Sequence, residues 1–146
     1  MSEHRSAALV KGHDGDPVNV LGLRVYYEDT DFSGRVYHGS YLRYLERGRT
    51  EWLRDRGFVQ ADVFSASALA FVVRCLSIEY RHSAAMDDWL EVVTSLKEKR
   101  RASVVFSQSI HRGSLTLVTA EVLAAAVVNG RVTRLPSFVR QFSASL

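Results

Sequence analysis

Apolar and polar residues alternate along four stretches in the second half of the chain. These stretches are Phe71–Tyr80, Leu90–Lys97, Val104–Ile110 and Leu115–Val128. A period of two places the apolar side chains on one face of a half-buried strand, and the short polar turns between the stretches require antiparallel neighbours. The run VLAAAVV, residues 122–128, loses the alternation, which predicts burial on both faces. The pattern predicts an antiparallel sheet.

The first half of the chain predicts one strand followed by one long helix. Leu21–Asp29 is rich in Leu, Val and Tyr, as strands are. Ser40 is the predicted N-cap of a helix that runs to about Arg56 and stops at Gly57. Its apolar or small residues at helical spacing are Tyr41, Leu42, Tyr44, Leu45, Gly48, Trp52 and Leu53. A helix of ~17 residues is ~25 Å long and spans a five-stranded sheet. We therefore predict an α+β fold with the helix on the concave face of five or more antiparallel strands.

Length and composition favour one domain in a reducing compartment. The 146 residues are 47% hydrophobic and 24% charged, which is typical of a globular domain. We expect a flexible arm over residues 1–19, the domain over 20–140 and a short tail over 141–146. Cys75 is the single cysteine, so no intrachain disulfide can form, and we expect it to be a buried structural thiol. No stretch has the apolar length of a signal peptide or a membrane span, which predicts a cytoplasmic protein.

Charge and motifs narrow the chemistry only partly. The formal charge of +3 favours acidic ligands but does not choose among nucleic acid, lipid and phosphorylated small molecules. The sequence contains no GxSxG, P-loop, HExxH or CxxC motif. Asp29 and Asp31 are too few ligands for magnesium, so we predict no metal site.

The junction between the predicted strand and helix carries the strongest candidates. Asp29, Asp31 and His38 lie where a carboxylate can face a helix N-terminus, whose free N–H groups and dipole stabilise an anion. The alternative is that an aspartate caps the turn and His38 satisfies a buried polar group. Spacing alone leaves both interpretations open.

A longer pattern around this junction carries a family resemblance. YEDTDFSGRVYH, residues 27–38, is followed by YLRYLERGRTE, residues 41–51. FVVR at 71–74, IEY at 78–80 and LPS at 135–137 continue it. The pattern resembles the signature of hotdog-fold acyl-CoA thioesterases, and it is most similar to the Tol-Pal-associated, YbgC-like branch related to 4-hydroxybenzoyl-CoA thioesterase. The resemblance covers residues 22 to 138.

The resemblance implies roles for residues at the junction. Asp31 takes the place of the catalytic carboxylate, acting as base or nucleophile. The backbone N–H of His38 takes the place of the oxyanion donor, and the His38 side chain orients the thioester or the water. Tyr37 and Gly39 are the expected positioning residues, although Gly39 after the histidine departs from the family pattern. Phe32 stands where the family usually has a small residue, which implies a narrowed or re-aimed acyl pocket.

The resemblance also implies partners. The expected substrate is an acyl-CoA with a short or aromatic acyl group, and Arg131 and Arg134 are the expected contacts of the coenzyme A phosphates. No further cofactor and no nucleic acid is expected. A dimer of dimers with sites at subunit boundaries is expected, and an acyl carrier protein is a possible second partner. Two alternatives stay open: a hydratase or dehydratase, and a catalytically weak acyl-CoA or acyl-carrier-protein binding module of the cell-envelope Tol-Pal machinery.

Overall fold

The computed structural model describes residues 9–11 and 17–142, and it has one antiparallel sheet with a long helix packed on it. The strands are β1 Leu9–Lys11, β2 Pro17–Arg24, β3 Leu69–Tyr80, β4 Trp89–Lys99, β5 Ser103–Arg112, β6 Leu115–Val128 and β7 Arg131–Val132. The helices are α1 His38–Arg54, α2 Gln60–Ser67 and α3 Ser137–Arg140, and a 3₁₀ turn covers Tyr27–Asp29. The sheet order is β1-β2-β4-β5-β6-β3, with β7 beside β6. No helix in the described ranges is long and apolar enough to cross a membrane.

The four predicted strands are confirmed as β3 to β6. In the run 122–128, Val122 and Ala124 belong to the core beneath the helix layer, and Ala125 is buried on the opposite face. Leu123 and Val127 beside Ala125 stay half-buried. The run is therefore apolar on both faces, and its outer face is covered only in part within one chain.

Helix α1 approaches the sheet closely at Gly48. A Cβ atom there would lie 2.7 Å from Thr94 Oγ1 and 2.8 Å from Val92 Cγ1. Gln108 is buried at the same level, where its Nε2 donates to the Leu45 carbonyl at 2.8 Å and to Thr94 Oγ1 at 2.9 Å. The glycine allows the contact, and the hydrogen bonds hold α1 on β4 and β5.

The start of the chain differs from the prediction. The first long strand is Pro17–Arg24, so the strand predicted through Asp29 is wrong beyond Arg24. The Tyr26 N–H donates to Asp29 Oδ2 at 2.9 Å, which closes the 3₁₀ turn in place of an extended chain. Of the predicted arm, residues 9–11 and 17–19 belong to strands. The rest of the arm, and residues 143–146 of the predicted tail, lie outside the described residues.

Three other expectations need correction. The N-cap of α1 is Tyr37 and not Ser40, because buried Ser40 lies in the first turn and its Oγ donates to the Asp29 carbonyl at 3.0 Å. Helix α2 was not predicted, since its sequence QADVFSAS lacks helical apolar spacing. Cys75 is exposed and not buried, because it follows a β-bulge in β3, the strand at one edge of the sheet.

Candidate active site

Asp31 sits in a tight reversal between β2 and α1. An isolated antiparallel bridge joins Thr30 to Val36. Inside it the Asp31 N–H donates to the Arg35 carbonyl, and the Gly34 N–H donates to the Asp31 carbonyl, both at 3.0 Å. Gly34 has a φ of 79°, which glycine adopts without steric cost. The chain turns at Ser33-Gly34, and this turn fixes the backbone of Asp31.

The Asp31 side chain is exposed and ionised. Its Oδ1 accepts the Ser33 N–H at 2.8 Å and the Ser33 hydroxyl at 2.5 Å. These two hydrogen bonds, the hydroxyl foremost, hold the pKa of Asp31 below its ordinary value of 3.8, and the nearby His38 contributes in the same direction. Both bonds that the described residues give this carboxylate fall on Oδ1. Its Oδ2 is therefore available to a water or a substrate.

Asp29 has a different environment. Only 6% of it is exposed, and its carbonyl accepts the Tyr37 N–H at 2.9 Å in addition to the Ser40 hydroxyl. The pKa of Tyr44 is raised, mainly by burial and secondly by the nearby Asp29 carboxylate. Asp29 thus links the 3₁₀ turn to the start of α1, while Asp31 faces solvent. No group of three or more His, Cys, Asp and Glu residues in the described ranges is placed to share a metal ion.

The first turn of α1 lies beside Asp31. His38 and Gly39 are its first two residues, and backbone N–H groups at these positions have no acceptor within their own helix. The His38 ring lies 4.4 Å from the Tyr37 ring between centroids. The Tyr80 hydroxyl donates to the His38 carbonyl at 3.0 Å. Free N–H groups and the positive end of the helix dipole suit a carbonyl oxygen that gains negative charge.

Gly39 lies directly against the Tyr37 ring. A Cβ at Gly39 would lie 2.6 Å from Cε2 of Tyr37. Any larger residue would displace that ring or tilt the first turn of the helix. The structure has Tyr37 at the N-cap and Gly39 in the first turn of α1, and their positioning roles stay predictions.

Exposed apolar side chains surround the carboxylate. Phe32 is fully exposed and Tyr27 is 78% exposed, and both line a depression that also includes Asp31 and Met86. Sequence reasoning did not assign Met86 or Tyr80 to the site, although Tyr80 belongs to the family pattern, because both come from distant parts of the chain. Apolar groups around an ionised carboxylate are typical of a site that is covered by a ligand or another subunit.

Arg131 and Arg134 are exposed and lie far from Asp31 within one chain. Arg131 pairs with Val128 at one end of β6, whereas Tyr80, beside His38, pairs with Val118 near the other end. Ten residues of strand separate these positions by ~33 Å. The structure therefore brings Asp31, Tyr37, His38 and Gly39 together, and one chain does not bring the two arginines to them.

Comparison with known proteins places this chain in a family. Residues 33–119 match the thioesterase superfamily. The chain is 44% identical over 110 residues to an acyl-CoA thioesterase YbgC of Haemophilus influenzae, covering 75% of this chain and 81% of that protein. It is 47% identical over 106 residues to the acyl-CoA thioester hydrolase YbgC of Escherichia coli O157:H7, covering 72% and 78%. The crystal structure of a probable thioesterase from Bartonella henselae superposes with a TM-score of 0.77 at 40% identity, covering 82% of this chain and 99% of that chain.

The chain belongs to the thioesterase superfamily. Within that family it is similar to the YbgC proteins, as the sequence resemblance implied. The predicted hotdog fold and the predicted thioester hydrolase class are confirmed.

Proposed function

We propose that this chain hydrolyses the thioester bond of acyl-CoA and that Asp31 carries the reaction. The observation that supports it most is an ionised, solvent-facing carboxylate close enough to the start of α1 for His38 to affect its pKa, beside the free N–H groups of the first helical turn. The YbgC relatives, named for acyl-CoA thioester hydrolysis, support the same substrate class.

In the proposed reaction the thioester carbonyl oxygen accepts hydrogen bonds from the backbone N–H groups of His38 and Gly39. An oxygen nucleophile adds to the carbonyl carbon, the carbon–sulfur bond breaks, and coenzyme A leaves as a thiol after taking up a proton. One oxyanion donor typically contributes ~2.7–4 kcal/mol to such a step. The apolar ring of Tyr37 shields this oxygen from water on one side.

Asp31 has two possible parts in this reaction. As a general base it takes a proton from the attacking water, and as a nucleophile it forms an acyl anhydride that water then hydrolyses. A single turnover in isotopically labelled water distinguishes them. In the nucleophilic route, water that attacks the Asp31 carbonyl of the anhydride leaves an unlabelled oxygen in the released acid and labels Asp31, whereas the base route labels the acid and leaves Asp31 unlabelled. Label in Asp31 therefore identifies the nucleophilic route.

We also propose that the active protein is a homo-oligomer formed through β3. This strand of 12 residues lies at an open edge of the sheet and exposes Val72 at 48%. Antiparallel pairing of two β3 edges aligns the Tyr80 end of one copy with the Leu69 end of the other. Because Arg131 lies beside that second end, the partner's Arg131 and Arg134 would approach Asp31 and can contact the phosphates of coenzyme A. A dimer of dimers is the proposed complete assembly.

The test is release of coenzyme A from short, aromatic and long acyl-CoAs. Cys75 is exposed and would react with thiol reagents, so the assay uses the Cys75→Ser protein or follows the ultraviolet absorbance of the thioester. We expect turnover, with the short or aromatic substrates preferred. A hydratase changes the acyl group without releasing thiol, and an envelope binding module binds acyl-CoA or acyl carrier protein without turnover. Either result contradicts the proposal.

Cytoplasmic location, an acyl carrier protein as second partner and activity without an added cofactor stay predictions. Turnover by protein treated with a chelator tests the last of these.

A further inference from the structure

One face of α1 leads away from the proposed site along β3. Residues 38, 42, 46, 49 and 53 recur at intervals of three or four, so they share one helix face. His38 at its start is near Tyr80, and Leu53 near its end lies in one groove with Phe71. Helix α1 and strand β3 therefore run in opposite directions beside each other. Leu42 lies on this helix face between His38 and Leu53. It is 41% exposed, although it belongs to the predicted apolar face of the helix.

The groove between α1 and β3 has apolar walls and a polar side. Its walls are Leu53, Phe71, Val73, Phe106 and Ala124. Arg49, Glu46 and Thr50 line it from the helix. Phe71 and Val73 face the helix layer because they pair with Ala126 and Ala124 of the core. This groove is separate from the depression around Asp31 and Phe32.

Arg49 enters this groove without a direct ion pair to any described residue, although the charge of nearby Glu46 partly offsets the effect of burial on its pKa. Its side chain is half-buried, and burial lowers its pKa. Its Nη1 donates to the neutral Oε1 of Gln108 at 3.0 Å. No carboxylate within the described ranges lies within 4.0 Å of its guanidinium, although five other ion pairs form. A partly desolvated guanidinium has several donors, and one neutral acceptor leaves donors for a ligand.

Glu46 decides what kind of ligand fits beside Arg49. It lies one turn before Arg49 and lines the same groove, where its Oε1 accepts the Thr50 hydroxyl at 2.9 Å. A second carboxylate would meet the repulsion of Glu46. A hydroxyl group can accept from Arg49 and donate to Glu46, so the pair suits a neutral hydroxyl.

We infer that the groove between α1 and β3 binds the far end of the acyl group and that Arg49 and Glu46 select a hydroxyl there. The inference rests on the proposed function, because the carbonyl end of the acyl group is assigned to the start of α1. It adds a specificity role for Arg49 and Glu46 to the proposed hydrolysis at Asp31.

The distance along α1 sets the expected acyl length. Gln108, which contacts Arg49, also bonds to the Leu45 carbonyl, so the guanidinium lies near the level of Leu45. Seven helical residues from His38 to that level span ~10 Å. A fully extended chain covers ~3.3–3.6 Å with three bonds, so ~10 Å corresponds to about nine bonds. An ω-hydroxyoctanoyl group matches this length.

The test compares octanoyl-CoA, ω-hydroxyoctanoyl-CoA and the ω-carboxyl analogue of the same length. We expect the parental protein to favour the hydroxyl substrate over octanoyl-CoA in kcat/KM. In Arg49→Met this ratio falls about tenfold, as expected for a lost hydrogen bond to a charged group. In Glu46→Ala the same ratio falls several-fold. Because Glu46 is exposed, this variant should fold, and it provides the test if Arg49→Met unfolds. Arg54→Met is the matched control, because Arg54 is exposed, pairs with Glu51 and lies outside the groove.

Dissociation constants on the Asp31→Asn protein measure the same preference without turnover. Hydroxyl preference that is lost in the Arg49 or Glu46 variants, with octanoyl-CoA hydrolysis retained, supports the inference. No preference for the hydroxyl, preference for the carboxylate, or an unchanged ratio in both variants overturns it and leaves the proposed hydrolysis standing. Absence of thiol release from all three thioesters instead contradicts the proposed function, and the dissociation constants still decide whether the groove selects a hydroxyl.

Discussion

Replacing Gly48 by alanine tests how α1 is held on the sheet. The added Cβ would lie 2.7 Å from Thr94 Oγ1, 2.8 Å from Val92 Cγ1 and 3.0 Å from Gln108 Nε2. Alanine gains ~1 kcal/mol over glycine in a helix interior, whereas overpacking a core costs ~1–3 kcal/mol. Lifting α1 also stretches the Gln108 bond to Leu45, worth ~1 kcal/mol. We expect a net loss of about 1–3 kcal/mol in the free energy of unfolding.

Urea unfolding at fixed protein concentration measures this loss as a lower midpoint with an unchanged slope. Val92→Ala is the paired variant, since it removes the Cγ1 atom that the new methyl group meets. The double variant Gly48→Ala, Val92→Ala should lose less stability than the sum of the single variants. A Gly48→Ala protein that is more stable than the parent by ~1 kcal/mol would show that helix propensity alone decides the position and that the close approach is not tight.

Three further predictions concern the site. Because the pKa of Asp31 lies below 3.8, kcat/KM should fall only as the pH drops through that low pKa. Ser33→Ala removes the hydroxyl hydrogen bond and should move this fall in kcat/KM to higher pH. An unchanged pH profile would contradict the role of the Ser33 hydroxyl. Gly39→Ala should displace the Tyr37 ring and lower kcat about tenfold or more with little effect on melting temperature, and parental turnover would refute this. The Michaelis constant for acyl-CoA should rise with salt, because the attraction of the phosphates is screened over ~8 Å at physiological ionic strength. It should also rise in Arg134→Ala, which removes one attracting charge. A Michaelis constant that does not change would show that Arg134 is not part of the site.

Light scattering checks the proposed assembly. Pairing through β3 predicts a mass of at least two chains of 16.4 kDa at micromolar protein concentration. Proline in place of Ser77, in the exposed part of β3, removes a backbone donor and should lower that mass. A monomeric parental protein would contradict the proposed assembly.

The fold could be predicted because each element has its own period. Strands β3 to β6 alternate every second residue, and α1 repeats its apolar residues at helical spacing, so both follow from local sequence. The end of the first long strand and the start of α1, within residues 24–40, could not be predicted, because they depend on contacts that sequence spacing does not show. Asp29 bonds to the Tyr26 N–H and to Ser40, which converts the end of the predicted strand into a turn and places the N-cap at Tyr37.

The site was predictable in part for a similar reason. Asp29 and Asp31 are chemically equivalent in the sequence, and only the turn shows that one is buried and the other exposed. The motif resemblance selected Asp31 without that information. Tyr80 and Gln108 reach α1 from strands more than 40 residues away, so no local pattern could reveal their contacts.

The most direct test of the account is turnover by Asp31→Asn. The substitution keeps the size of the side chain and its contact with Ser33 but removes the charge. We expect kcat to fall by at least about 10²–10⁴, the factor typical of the loss of a general base. The melting temperature and the affinity for acyl-CoA should stay at the parental values. Glu28→Gln is the matched control, because it removes the charge of an exposed carboxylate three residues before Asp31. This variant should keep full activity. An Asp31→Asn protein that hydrolyses acyl-CoA at the parental rate, or one that unfolds, would return Asp31 to the role of a turn-capping carboxylate.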